Sequence, residues 1–261
     1  MSNIHRLELE QPIQHSEGNQ ITKIFPNFAL KSFTFTITII QVIYFLISVI
    51  MSQSYQPSTC VLYKLGANYA PSIVVGGEIW RLLMPIMLHG SLFHIILNLF
   101  FQLRIGFAVE KYYQTPRFIL IYLISGIGGN ILSAYTRKDG ISIGASTSLF
   151  GIFATFGCYY AYNWYTFGPG RNFNLLVYLF FVIINFMAGF SIPNIDISGH
   201  IGGFLVGGMI GFLLLPREEN SKTWTYIRFF SGFGLVLYFS TLGALLFNLE
   251  FFCEDEDCNL C

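Results

Sequence analysis

The chain has 261 residues, 54% of them hydrophobic and 11% charged, and its fourteen Lys and Arg balance fourteen Asp and Glu to a net formal charge of zero. That composition excludes an ordinary soluble domain, and the zero net charge gives no general attraction to nucleic acid. It is the composition of a polytopic membrane protein with little sequence left for a separate soluble domain.

Residues 1–32 are polar and mixed in charge. They have neither the short cleavable apolar core of a secretory signal nor the Arg-rich, acid-poor character of a mitochondrial transit peptide. They read as a cytosolic N-terminal segment ahead of a retained first span. Seven long apolar stretches follow, at 33–51, 92–109, 118–135, 146–162, 174–192, 197–215 and 225–247. Each is near the ~20 residues that carry a helix across ~30 Å of hydrocarbon, which predicts an all-α membrane bundle of seven transmembrane helices. Six of them form a core over 33–215.

The first two spans are separated by a large loop at about 52–91, containing Pro57, Pro71, Gly76-Gly77, Trp80-Arg81 and an apolar run at 82–88. Its length predicts short helical pieces lying partly in the interface rather than a passive turn. Residues 191–196, just before the sixth span, have the length of a small lid. Residues 216–261 supply a cytosolic loop, the seventh helix and a short acidic tail carrying Cys253, Cys258 and Cys261.

Seven crossings put the two termini on opposite sides. With the N-terminus in the cytosol, that side receives ten basic residues (Arg6, Lys23, Lys31, Arg104, Lys111, Arg117, Arg171, Arg217, Lys222 and Arg228) and the other side four (Lys64, Arg81, Arg137 and Lys138). The asymmetry predicts N-terminus in and C-terminus luminal or extracellular, and the mixed charge of residues 1–32 points to the secretory pathway or plasma membrane rather than to mitochondria. Cys158 falls inside the fourth span, whereas Cys60 and the tail cysteines fall outside, where a disulfide can form without its pairing being readable. The last four residues mimic a prenylation box, but Asn259 is not aliphatic and a luminal tail does not meet the cytosolic enzyme.

Gly144-Ala145-Ser146-Thr147-Ser148 places a hydroxyl where the fourth span begins. The second and sixth spans also carry polar side chains near their starts: His94 with Asn98, and His200. Alternating topology makes these three spans run in one direction, so Ser146, His94 and His200 share a shallow depth below the outer surface. Serine, histidine and amide donors are the parts required for acyl transfer, in which a base activates the nucleophile and fixed donors hold the oxyanion. Ser146 also opens a helix, where backbone N–H groups lack intrahelical partners and the dipole is positive. Singly, each residue has a plainer reading: a serine at a helix end bonds backbone, an intramembrane histidine bridges helices, and His94 and Asn98, four apart on one face, bond each other. Gly199, Gly203, Gly207 and Gly211 recur every four residues, a side-chain-free ridge that predicts close approach of the fourth span and brings His200 to the serine.

Gly144-Ala145-Ser146, His94 with Asn98, His200 in a glycine-rich span and Trp80-Arg81 in the preceding loop together resemble the rhomboid intramembrane serine proteases, over about residues 78–211. The resemblance implies a catalytic dyad of Ser146 and His200. It implies oxyanion stabilisation by His94, Asn98 and the Ser146 backbone N–H, and an aromatic packing role on the imidazole for Phe150. Gly144, Gly203, Trp80 and Arg81 support the site, and Glu110 has a structural role at the inner end of the second span. The same resemblance implies transmembrane protein substrates cut near the outer end of their helix within the lipid bilayer, with no metal or organic cofactor; the oligomeric state is not readable. Thr147 departs from the family's usual glycine after the serine, Met84 from a threonine, and Gln114 from a glycine that often ends the second span. Inactive relatives lose the serine or histidine or carry proline before the serine, whereas Ala145 precedes Ser146.

Two other readings stand beside this one. A catalytically inactive rhomboid-like protein would bind or traffic client membrane proteins with the same bundle. A transporter or channel would require a polar path through the bilayer, while the polar residues here gather near one face.

Overall fold

A computed structural model of the chain describes residues 20–191, 195–216 and 221–251. Residues 1–19, residues 192–194 of the lid segment, and the tail with Cys253, Cys258 and Cys261 lie outside the described residues. The described residues form ten α-helices and no strand: α1 (Gln20–Ile24), α2 (Phe33–Ser52), α3 (Thr59–Lys64), α4 (Ala70–Val74), α5 (Leu92–Tyr113), α6 (Thr115–Thr136), α7 (Ser146–Tyr162), α8 (Arg171–Ser191), α9 (Ile197–Leu214) and α10 (Lys222–Phe247). The loop before α5 adds two 3₁₀ turns, Ile79–Leu82 and Met84–Met87, to its two short α-helices, so it is built of short helical pieces as its length predicts.

Among the described residues, six helices are long and apolar enough to cross a membrane: α2, α5, α6, α8 with its preceding turn, α9 and α10. The remaining long helix, α7, has 17 residues and is about 26 Å long at 1.5 Å per residue, slightly short of the hydrocarbon thickness. Several helices outrun their apolar stretches. α5 continues to Tyr113 and α6 begins at Thr115, leaving Gln114 alone between them. Gln114 has φ +68° and ψ 147°, a positive-φ extended conformation that costs a residue with a side chain about 1–3 kcal/mol and that glycine adopts freely. α8 and α10 likewise start at Arg171 and Lys222, because polar residues at the interface continue a helix without entering hydrocarbon.

α9 sits in the middle of the bundle, packed chiefly on α7 and α6. Its glycines make that approach close. A Cβ on Gly203 would strike the carbonyl oxygen of Thr147, one on Gly207 would strike the backbone of Gly151, and one on Gly211 would lie 3.1 Å from Cα of Thr155. Thr147, Gly151 and Thr155 recur every four residues along α7, so two small-residue ridges face each other. Gly202 serves the other neighbour, with its Cβ position 2.9 Å from Cα of Gly129 in α6. α8 and α10 are peripheral: 0% and 6% of their apolar windows are buried, against 61% for α6.

Buried polar groups fasten the remaining helices. At the end of α5 away from Ser146, Glu110 accepts hydrogen bonds from the N–H groups of Phe33 (2.7 Å) and Thr34 (2.8 Å) and from the hydroxyls of Thr34 (2.7 Å) and Thr115 (2.8 Å). A carboxylate on the first N–H groups of α2 both satisfies them and complements the helix dipole. Mid-bundle, Gln41 of α2, Gln102 of α5 and Tyr122 of α6 form a closed set: Gln102 Nε2 donates to Gln41 Oε1 (2.8 Å), Gln41 Nε2 to Tyr122 Oη (2.9 Å) and Tyr122 Oη to Gln102 Oε1 (2.6 Å). Cys60 is disulfide-bonded, while Cys158 is a free, buried thiol that donates to the carbonyl of Gly208 at 3.3 Å.

Candidate active site

The loop that delivers Ser146 to the start of α7 is held from three directions. Gly144 N–H donates to the carbonyl of Pro85 (2.9 Å), and Asn68 and Ser142 exchange two backbone hydrogen bonds of 2.9 Å each. Ser142 Oγ donates to Asp196 Oδ2 at 2.6 Å. The partners are themselves anchored: Asn68 Nδ2 donates to the carbonyl of Asn130 (2.7 Å), Asn130 Nδ2 to that of Leu82 (2.8 Å), and Gln41 Nε2 to that of Ile86 (3.0 Å). The mid-bundle network thus reaches the turn on which Gly144 rests.

Gly144 itself has φ +127°, and a Cβ on it would stand 2.8 Å from His94 Nε2 and 3.4 Å from Ser146 Oγ. Backbone conformation and close approach both require glycine here. The same geometry places the His94 imidazole against the loop that carries Ser146.

His200 enters from α9, whose start is capped by Asp196: Gly199 N–H donates to Asp196 Oδ1 (2.9 Å) and His200 N–H to the Asp196 carbonyl (3.1 Å). Its Nε2 lies 2.8 Å from Ser146 Oγ. Phe150, one turn along α7 from Ser146, stacks on the imidazole with centroids 4.2 Å apart and planes at 16°. Such a ring pair contributes about 0.5–1.5 kcal/mol beyond its burial and restricts the imidazole to one plane. Phe186 of α8 packs against Phe150 with centroids 4.7 Å apart. His200 Nδ1 has no hydrogen-bond partner among the described residues. With the proton assigned to Nδ1, Nε2 presents its lone pair to the serine hydroxyl.

His94 and Asn98 lie on α5, which Ser91 caps by accepting from His94 N–H at 3.1 Å. Asn98 is buried and its Nδ2 donates to the His94 carbonyl at 2.8 Å. One amide hydrogen therefore stays on its own helix and the second is left for a ligand. Thr147 fits into a notch between α6 and α9: its Cγ2 lies 3.0 Å from the Cβ positions of both Gly129 and Gly199. Two glycines make room for the β-branch that stands in place of the usual glycine.

Trp80, Arg81 and Glu110 are placed away from the serine and histidine. Arg81 is buried in the first loop, ion-paired to Glu78, donating through Nη1 to the carbonyls of Tyr63 (2.6 Å) and Ala67 (3.1 Å). It also stacks over the rings of Tyr63 (4.2 Å) and Trp80 (4.7 Å). It orders the loop rather than the reacting atoms.

Several residues that sequence reasoning passed over hold the site. Asp196 carried a readable signal, an acidic residue just ahead of a helix start. Asn68, Asn130 and Ser142 carried none, since their pairing joins distant segments. His89 in the loop before α5 is fully buried, with its ring 5.1 Å from that of His94. Burial, and to a lesser degree His94, push its pKa down to about 3, so it stays neutral and adds no charge beside the site.

The chain is similar to known proteins over most of its length. A model of the rhomboid domain matches residues 76–217, more than half of the chain. Rhomboid-like protease 1 of Toxoplasma gondii is 35% identical over 206 residues, covering 77% of this chain and 70% of that protein. Rhomboid-like protease 3 of the same organism is 32% identical over 209 residues, with 79% and 78% covered. RHOMBOID-like protein 6, mitochondrial, of Arabidopsis thaliana is 38% identical over 178 residues, with 68% and 57% covered. A serine at the head of one buried helix, a histidine stacked beside it on another, and this extent of sequence identity make the chain a member of the rhomboid family of intramembrane proteases.

Proposed function

We propose that the protein is an intramembrane serine endopeptidase with seven transmembrane helices, α7 making the seventh crossing, and that it cuts membrane-anchored proteins near the end of their helix on the Ser146 side. The observation that carries this is the 2.8 Å contact between Ser146 Oγ and His200 Nε2, within the reach required of a nucleophile and its base. Ser146 attacks the scissile carbonyl carbon while His200 Nε2 takes its proton. The oxyanion is held by the Ser146 N–H at the positive end of α7, by the second Asn98 amide hydrogen and by His94. Collapse of the tetrahedral intermediate expels the amine, which takes the proton from His200, and a water activated by the same imidazole releases the acyl group. No metal or organic cofactor has a part in these steps. An intact substrate helix shields its carbonyls, so substrates unwind locally and carry helix-breaking residues near the cut. Against the reading as a silent client-binding relative, Ser146 and His200 are both present and in contact, and the notch at Gly129 and Gly199 takes the methyl of Thr147.

The test is incubation of the full chain, reconstituted in vesicles, with a single-span test protein tagged at both ends. Two fragments are expected, with the new terminus mapping near the helix end on the Ser146 side; an intact substrate, or a cut outside the membrane region, would count against the proposal. Asn98→Ala should slow that cleavage by roughly 10²–10³ without eliminating it, the usual effect of losing one oxyanion donor. A wild-type rate would reduce Asn98 to a packing residue.

The distribution of basic residues supports a cytosolic N-terminus and a luminal or extracellular C-terminus. Tags at the two ends should then show opposite protease accessibility in sealed vesicles. Equal accessibility would remove one crossing.

A further inference from the structure

A groove of about 560 Å³ lies between α5 and α8 and is backed by α7. Its walls include Phe100 and Phe101 of α5, Phe153 and Phe156 of α7, and Tyr178 and Phe181 of α8. Tyr178 Oη donates to the carbonyl of Phe153 at 3.0 Å, a contact that Gly157 permits, since a Cβ there would lie 2.5 Å from that oxygen. Phe100 and Phe181 remain 45% and 46% exposed at its rim, so the groove opens to the bilayer.

One cation lines this aromatic groove. Arg104 of α5 is exposed, and among the described residues it makes no hydrogen bond or ion pair and no acidic side chain lines the groove with it. It lies ten residues beyond His94, in the half of the bundle away from Ser146, and about 14 Å from the end of α5 at 1.5 Å per residue. A guanidinium at such depth is costly unless it reaches toward the headgroups and meets an anion. Phosphate oxygens match its planar donor fork.

We propose that this groove binds one anionic phospholipid from the leaflet opposite Ser146, with an acyl chain along the aromatic walls and the phosphate on Arg104. At about 560 Å³ the groove lies within the range of about 300–1,000 Å³ of sites that enclose small ligands. A net negative headgroup is preferred over a zwitterionic one because Arg104 faces no competing carboxylate in the groove among the described residues. The inference does not rest on peptidase activity.

The experiment is native mass spectrometry of the full chain in neutral detergent with equal amounts of palmitoyl-oleoyl phosphatidylglycerol and phosphatidylcholine. One phosphatidylglycerol should be retained about fivefold over phosphatidylcholine, as expected for a single basic residue at anionic headgroups. Arg104→Gln should bring the two lipids to parity, Arg104→Lys should keep the preference, and Ala108→Trp, which fills the groove from α5, should lower retention of both. Thermal melting of each variant establishes that it is folded, and the exposed Arg104 pair decides the matter if Ala108→Trp is not. Equal retention by the unmodified chain, or a preference that survives Arg104→Gln, would overturn the proposal. Excess single-span test protein should leave the lipid in place; its displacement would assign the groove to a protein helix and overturn the proposal equally.

Discussion

Ser146→Ala and His200→Ala are each expected to abolish cleavage of a membrane-anchored test protein while leaving the bundle folded. The two side chains meet at 2.8 Å and act as one unit, so the double variant should be little worse than either single one; in serine proteases such losses reach about 10⁶ in rate and do not add. Ser146→Ala removes one oxygen and leaves the backbone ties of Gly144 and Ser142 untouched, so its melting temperature should stay close to that of the unmodified chain. His200→Ala also leaves Phe150 without its stacking partner and should melt somewhat lower. Undiminished proteolysis by purified Ser146→Ala protein would remove the serine from the chemistry.

Gly203→Leu is expected to lower activity at least as much as stability, although it adds apolar volume to a segment already surrounded by helices. A Cβ at Gly203 runs into the carbonyl of Thr147, the residue after the proposed nucleophile. α9 must then move away from α7, carrying His200 away from Ser146. A displacement of about 1 Å costs a catalytic geometry on the order of 10²-fold. Gly208 is different: its Cβ position meets only Ala154 Cβ, at 3.8 Å, an ordinary contact. Gly208→Leu should therefore cut at a rate within a few fold of the unmodified chain. Cleavage rate and thermal melting of both variants in one detergent make the comparison, and equal tolerance would mean that the glycine ridge does not set the Ser146 to His200 distance.

Much of this arrangement is legible in the sequence, for physical reasons that differ from residue to residue. A hydrophobic span announces itself by length, and the four-residue spacing of Gly199, Gly203, Gly207 and Gly211 announces a close helix contact, because only small side chains permit one. Helix ends are less legible. α5 continues four residues past its apolar run, to Tyr113, since Glu110 and Lys111 are good helix formers at the interface. The family resemblance implies a structural role for Glu110, but its role as a cap on α2 depends on residues 77 positions away. The supports of the serine loop are the least legible: the Asn68 to Ser142 bridge, the Asn130 bond to Leu82 and the Gln41 bond to Ile86 join segments far apart in sequence and leave no local period. Thr147 illustrates the converse. In sequence it departs from the family's glycine, and only the facing glycines at 129 and 199 show how it is accommodated.

The central claim is that His200 activates Ser146 as a nucleophile in the folded membrane protein. The most direct measurement is labelling of the full chain, in vesicles, by a serine-reactive fluorophosphonate, with the modified residue located by peptide mass spectrometry. The label is expected on Ser146 alone among the serines, lost in His200→Ala and retained in Gly208→Leu. A label on another serine, or one on Ser146 that persists undiminished in His200→Ala, would contradict the account.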